Sequence, residues 1–350
     1  MQTSKICFIA TTLSISTFAV NAQLNLTDNI SLSGFGSTSI TQSNNATPLY
    51  VNREITDNTC YDCDTTLGLQ GDIRFNDNFN TSIQIVKRPQ DSWSSPRLEW
   101  VYVGYSVSDF NLKFGRLRLP LFLSSEYYYV GQAYTSARPP QEVYNSILGI
   151  TSYDGISGTW DIEISDDSYL TVTPYLGIES NSKVGIGDKQ YDFNIDNTVG
   201  LHSELSGFDY RIIFNYAYSK YAVKVTTPQG SLDYPSDNIN IYTLGTEYSL
   251  EQWLLTAEVL IDEMNFNWYS SIAYNIDKFT PYVTYAESHH GKKNNSLLIG
   301  LRYDLTTRVS LNTEWKYTNA KGGSHGELIR TPVDGDTDAQ LYTIMLNFIF

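Results

Sequence analysis

From Ile30 to the last residue the hydropathy of this chain alternates with a period of two, and that pattern limits its folds more than any other feature. Trp253, Leu255, Ala257, Val259 and Ile261 alternate with Leu254, Thr256, Glu258, Leu260 and Asp262. Val309, Leu311, Thr313, Trp315 and Tyr317 alternate with Ser310, Asn312, Glu314 and Lys316. Successive strand side chains point to opposite faces, so each run reads as a strand with one apolar and one polar, charged or small face. Sixteen runs can be counted, near 30–40, 65–75, 78–88, 97–107, 109–117, 153–164, 168–178, 192–204, 208–220, 239–250, 252–262, 268–276, 278–287, 296–305, 308–318 and 339–350. The 27 Tyr and 23 Gly disfavour a helix bundle. After residue 22 no stretch approaches the roughly 18 apolar residues of a membrane helix.

The connections carry as much information as the runs. Tight turns such as 76–78, 108–109, 251–252 and 306–307 follow every even-numbered run. Longer links, 41–64, 89–96, 118–152, 179–191, 221–238, 263–267, 288–295 and 319–338, follow the odd-numbered ones. One end of the molecule therefore has tight turns and the other long loops, as in a membrane barrel. Sixteen strands enclose a lumen too wide for side chains to fill, so the inside is wet and the apolar face points outward. Outward then means lipid, where only a closed sheet pairs every backbone group of a strand. Tyr248, Trp268, Trp315, Tyr317, Tyr342 and Phe350 stand near the ends of outward rows, where interfacial girdles belong. The reading is all-β: a 16-stranded antiparallel transmembrane β-barrel.

The first 22 residues are an address. Lys5 gives a positive start, Ile6 to Val20 an apolar stretch, and Val20-Asn21-Ala22 a small-residue end. This predicts a cleaved secretory signal at 1–22 and one barrel domain at 23–350. Cys60 and Cys63, in CYDC, are then the mature cysteines. In an oxidising compartment they read first as a local disulfide. Two ligands without a nearby His make a weak metal site, and Asn58, Thr59 and Asp62 do not mark the helix N-terminus of a redox pair. No cofactor and no metal are expected.

The last run ends the chain on one outward row, Tyr342, Ile344, Leu346, Phe348 and Phe350. In a soluble protein that edge would invite aggregation; closing a barrel, it makes sense. This row and Phe114-Gly115-Arg116 at the end of the fifth run resemble the general porins of Gram-negative outer membranes. The likeness covers the whole mature chain as architecture. It implies an outer-membrane location, a homotrimer, contact with outer-membrane lipid and lipopolysaccharide, and recognition of Tyr342, Phe348 and Phe350 by the barrel-assembly machinery. It also implies that the long link after the fifth run, 118–152, folds into the lumen as a constricting third loop. The Pro-Glu-Phe-Gly-Gly motif of many enterobacterial third loops is missing; this loop reads PLFLSSEYYYVGQAYTSARPPQEVYN.

A pore needs a narrow, wettable ring with a transverse field rather than a catalytic group. The loop and its base offer Glu126, Glu142, Arg116, Arg118 and Arg138, which nearly balance. On the wall, alternation turns Arg74, Arg211 and Arg302 inward, with Asp72, Glu258, Asp304, Glu314 and Lys316. Arg97 joins the constriction candidates, although the facing of its run is not fixed by the pattern. Tyr127, Tyr128, Tyr129 and Tyr134 read either as packing of the loop or as a candidate solute path. The expected function is a water-filled passive diffusion channel for small hydrophilic solutes and ions. The alternative is a sugar- or anion-selective channel using the loop Tyr and Arg residues. An enzyme is not expected: there is no HExxH, GxSxG or phosphate loop, and although His289-His290 lies on an outer loop beside Gly291-Lys292-Lys293, the strand count exceeds that of outer-membrane enzyme barrels. A net charge of −15 argues against a nucleic-acid partner.

Overall fold

The computed structural model describes residues 23–51, 53–89, 96–147, 151–186 and 189–350. The expected signal segment 1–22 lies outside them, as do 90–95 and 148–150 of two expected links. The strands are β1 (Gln23–Thr27), β2 (Ile30–Ser43), β3 (Thr66–Arg74), β4 (Phe79–Lys87), β5 (Arg97–Val107), β6 (Phe110–Arg118), β7 (Ser152–Ser165), β8 (Ser168–Gly177) and β9 (Ser180–Ile186). They continue with β10 (Lys189–Gly207), β11 (Tyr210–Thr227), β12 (Gly230–Leu250), β13 (Trp253–Ile261), β14 (Asn265–Tyr274), β15 (Phe279–His290), β16 (Asn294–Thr306), β17 (Val309–Ala320) and β18 (Ala339–Ile349).

Each strand pairs antiparallel with its neighbours, and β18 closes the ring on β2, with Leu341 opposite Ser43 and Ile349 opposite Phe35. β8 and β9 both pair with β10 and form one interrupted stave. β1 pairs with the start of β2, Gln23 opposite Ser33, continuing the line of β18 across the chain ends. The described strands thus make sixteen staves of a closed antiparallel barrel. Closure leaves no edge, which is what a chain ending in five alternating apolar residues requires.

The outer face is apolar. Ile40, Leu69, Val103, Phe114, Leu176, Leu244, Ile299 and Ile344 are among its exposed residues. At the tight-turn end, aromatic rings meet across neighbouring staves: Phe79 with Tyr105, Phe110 with Trp160, Trp253 with Tyr274, and Phe279 with Tyr303, at centroid separations of 4.9, 4.6, 4.5 and 4.6 Å. Such amphipathic rings suit the boundary between hydrocarbon and headgroups. The turns themselves are short, with positive φ at Ser108, Glu251 and Asp277, the twist that tight hairpins need.

Two expected loops are strand instead. The links 179–191 and 221–238 fall largely within β9, β10, β11 and β12. Residues 230–238 are exposed on both faces. Alternation marks a lipid boundary, so it fades where both faces meet water, while the backbone ladder runs on. Pro235 sits where the β11–β12 register shifts, between Tyr221 opposite Asp237 and Val223 opposite Tyr234, a place that tolerates its missing N–H.

Candidate channel constriction

The long link from β6 to β7 turns into the barrel and follows the inner wall. It carries a single turn of 3-10 helix, Gly131–Ala133, and a short helix α1, Gln141–Tyr144. A chain inside the lumen leaves the sheet ladder, so its backbone polar groups need other partners. Wall side chains supply them. Asn215 Nδ2 donates to the Leu121 carbonyl at 2.8 Å, and Thr243 Oγ1 donates to the same oxygen. Leu123 N donates to Glu258 Oε1 at 2.6 Å. Arg302 donates to the carbonyls of Tyr134 and Gln132 at 2.6 and 3.2 Å. Asn312 Nδ2 reaches the Thr135 carbonyl at 2.7 Å, and Ala137 N reaches Glu314 Oε1 at 2.7 Å. At Gly131 a Cβ would come within 2.1 Å of Asn347 Oδ1, so the loop lies against β18 without room for a side chain.

Buried ion pairs fasten the second half of the loop. Arg138 places its fork on Asp64, with Nε to Oδ1 at 2.7 Å and Nη2 on Oδ2. It also donates to Thr343 Oγ1 at 2.9 Å and Thr41 Oγ1 at 3.0 Å. Arg53 reaches the same Asp64 Oδ1 at 2.7 Å and Gln141 Oε1 at 3.0 Å. Glu142 Oε1 accepts from Lys316 Nζ at 2.7 Å and Ser296 Oγ at 2.6 Å. Burial alone would raise the Asp64 carboxyl, but Arg138 and Arg53 outweigh it and hold it well below the usual carboxylate range. Burial likewise opposes ionisation of Glu142, and Lys316 and Ser296 reverse the balance and lower it.

Apolar packing completes the seat. Leu121, Phe122, Val143 and Tyr144 are buried with Leu117, Tyr153, Tyr175, Ile241, Leu260 and Tyr269. Phe122 and Tyr144 pack at 4.6 Å, and Tyr128 stacks on Tyr144 at 5.8 Å. The Tyr144 and Tyr269 hydroxyls both donate to Glu258 Oε2, at 2.7 and 2.6 Å.

The structure divides the sequence-derived candidates. Arg118, Arg138 and Glu142 meet at the docked loop; Arg118 Nη1 donates to Glu99 Oε2 at 2.9 Å and its guanidinium lies 5.0 Å over the Tyr129 ring. Glu126 is exposed on the loop. Arg116 belongs elsewhere. It stands opposite Val101 and Asp154, in the row of Val103, Phe114 and Ile156, whose side chains are exposed on the outer face. There it forms a two-bond pair with Asp154, both contacts at 2.7 Å. The parity of Phe114 fixes this facing, because residues two apart share a face. Arg74 lies at the tight-turn mouth, donating to the Asp28 carbonyl at 3.2 Å and lining a recess of about 430 Å³ with Asp28, Asp72 and Asp77. Arg97 is exposed at the start of β5, opposite Val86.

Among the tyrosines, Tyr129 is buried beside Phe35 and Val86. The Tyr134 hydroxyl donates to the Tyr128 carbonyl at 3.4 Å, and the Tyr127 hydroxyl accepts from Arg211 at 3.4 Å. These contacts are packing and anchoring contacts. Cys60 and Cys63 form a disulfide in the β2–β3 link, three residues apart. Sequence reasoning missed Asp64, Arg53 and Glu99. Asp64 and Arg53 lie in a link with no periodicity. Glu99 is turned inward by a bulge between Gln84 and Ile85, which breaks the parity of β5.

No protein-family model matches this sequence, and no curated protein matches it. Solved structures do. An anion-selective porin from Comamonas acidovorans aligns at TM-score 0.63 and 12% identity, covering 92% of this chain and 99% of that one. A loop L8 deletion mutant of OmpT, an outer membrane protein of Vibrio cholerae, aligns at 0.59 and 12%, covering 92% and 100%. OmpF of Salmonella typhi, in a complex with daunomycin, aligns at 0.57 and 13%, covering 94% and 100%. The chain has the sixteen-stranded porin fold, with the long β6–β7 loop inside the barrel.

Proposed function

We propose that this protein is an outer-membrane porin: a water-filled, passive diffusion channel for small hydrophilic solutes and ions. One observation carries the reading. A closed barrel of sixteen staves presents apolar residues outward and polar ones inward, and its longest described loop narrows the lumen instead of covering it. No step of this function needs a catalytic group. The constriction is assigned to Arg118, Glu126, Arg138 and Glu142, with Arg211 and Arg302 on the wall. Arg116, paired with Asp154, Arg74, beside the tight turns, and Arg97, at the start of β5, are not included in this proposal.

Residues 1–22 are assigned to a signal removed at export, so the mature chain should begin at Gln23. Tyr342, Phe348 and Phe350 are assigned to recognition by the barrel-assembly machinery. The outer aliphatic rows meet lipid and lipopolysaccharide. A homotrimer is proposed through the side of β2–β6, whose outer rows hold Ile40, Leu67, Leu69, Ile83 and Ile85. OmpT of Vibrio cholerae, of the same fold, is described in a trimer form, which supports this assembly. Planar-bilayer recording of the refolded mature chain tests the function. Stepwise, ohmic conductance is expected; its absence from folded protein would overturn the reading.

A further inference from the structure

The constriction loop is not fastened everywhere in the same way. Asn215, Glu258, Arg302 and Lys316 stand on β11, β13, β16 and β17, where the sheet ladder fixes their backbone. Asp64 and Arg53 stand instead in the β2–β3 link, at the long-loop end of the barrel. Yet Asp64 is the hub for the second half of the loop. It is 2% exposed and takes Arg138 and Arg53 on its carboxylate, with Ser39 Oγ donating at 2.7 Å and Thr41 Oγ1 at 3.2 Å. A hub in a link needs something other than a ladder to hold its position.

The Cys60–Cys63 bond ends one residue before Asp64. Cys60 is tied to β2 by two backbone bonds: Thr41 N donates to its carbonyl at 2.9 Å, and its own N donates to the Thr41 carbonyl at 2.8 Å. The disulfide carries that anchorage across the exposed Tyr61 and Asp62 to Cys63, which rests on the buried cluster of Leu49, Tyr50, Ile55 and Leu328. Ser37 Oγ then donates to the Asp64 carbonyl at 3.2 Å. One residue of chain thus joins a half-buried disulfide to the buried ion pairs of the loop. Asp62 Oδ1 lies 3.2 Å from Cys60 Sγ, so a neutral thiol reaches the bond more readily than an anionic one.

We propose that Cys60–Cys63 is a thiol–disulfide exchange site for small neutral thiols at the long-loop end, and that its oxidation state sets how firmly the constriction loop is held. This rests on the channel reading above and adds a means of regulating it. The thiolate of a dithiol attacks one sulfur of the pair. The Cys60–Cys63 bond breaks, a mixed disulfide forms, and the other cysteine leaves as a thiolate. The second thiol of the reagent then displaces the first cysteine and closes the reagent's own disulfide. The dithiol is oxidised by two electrons, the protein disulfide is reduced, and the two thiol protons pass to the two cysteines. Asp64 then keeps its ion pairs but loses the covalent brace beside it.

The test uses the refolded mature chain with its disulfide formed, with and without the neutral dithiol dithiothreitol. Trapping with iodoacetamide and mass spectrometry should find both thiols labelled in barrels that remain folded, as judged by their mobility in unheated SDS. Hydrogen exchange across 137–142 should then quicken about tenfold, the scale on which closing a short loop stabilises a folded segment. Bilayer currents should become noisier, and reoxidation with diamide should quiet them. The Cys60→Ser/Cys63→Ser variant should behave as the reduced protein does and lose the response to dithiothreitol. A disulfide that resists dithiothreitol until the barrel unfolds would overturn the exchange site. Labelled thiols with unchanged hydrogen exchange would overturn the coupling to the loop. Either result leaves the channel reading intact. Absence of conductance from folded, oxidised protein would overturn that reading instead, with the exchange comparison still deciding whether the disulfide braces the loop.

Discussion

Along β14–β18 and β2 most inward residues are nearly dry, with Asn312 at 0%, Thr343 at 2% and Ser296 at 3% exposure. On the tight-turn half of β7–β10 the same residue types, Thr159, Thr171, Thr173 and His202, stand partly open to the lumen. Their hydrogen bonds differ accordingly. Thr159 and Thr173 bond to each other at 3.0 Å and His202 to Asn215 at 2.6 Å, all on the wall. Asn312, Thr343 and Ser296 instead bond to Thr135, Arg138 and Glu142 of the loop. A polar inward row therefore has two uses in one barrel. It wets a passage, or it satisfies the backbone and charges of a chain folded inside. The same chemistry serves both, because water and a loop backbone present the same donors and acceptors.

The difference between the two walls depends most on Asp64. Asp64→Asn leaves Arg138 and Arg53 buried without their counter-charge, which should cost about 3–5 kcal/mol. Thermal unfolding in detergent should show it, and bilayer currents should become noisier as the loop loosens. Next comes Glu142→Gln, which strands Lys316. It should destabilise by a similar or slightly smaller amount, and adding Lys316→Met should recover much of the loss, since removing both charges avoids the uncompensated one. Denaturant midpoints of the two variants check this. A direct contrast follows from one substitution on each wall. Asn312→Val leaves the Thr135 carbonyl unpaired and should cost about 1–3 kcal/mol. Thr159→Val, on the open wall, should stay within about 0.5 kcal/mol.

The smallest effect is the response to mild acid. Asp64 and Glu142 are both held below their ordinary values in the docked loop. Their contribution to docking is therefore present above the unfolded carboxylate values and is lost as pH falls through the lowered ones. Melting temperature should be flat between pH 8 and about 5 and should decline only below about 4. A melting temperature that stays flat well below pH 4 would show that these carboxylates are not ion-paired.

Strand number, order, tight-turn end and outward rows were legible because lipid imposes a strict binary pattern on every stave. β1 escaped, since Gln23–Thr27 is too short and too polar to read as a run. The extended hairpin of β11 and β12 escaped because water on both faces erases the pattern. The inward facing of Arg211, Arg302, Glu258, Glu314 and Lys316 followed from parity. Their partners did not, because a loop such as 119–151 carries no period that sets its depth or register. Arg116 was assigned to the constriction by family likeness, while its parity with Phe114 pointed outward all along. Glu99 shows the converse, where one bulge defeats parity.

The loop seals one wall of the barrel and leaves the other wet. Thiol accessibility measures this directly, since the native Cys60 and Cys63 are bonded to each other. Single Thr173→Cys and Ser310→Cys variants, reconstituted in bilayers and exposed to a small charged thiosulfonate, compare the two walls at inward positions. Rapid modification and a stepwise fall in current are expected at position 173, with position 310 protected. Equal reaction at both, or reaction at 310 alone, would contradict it.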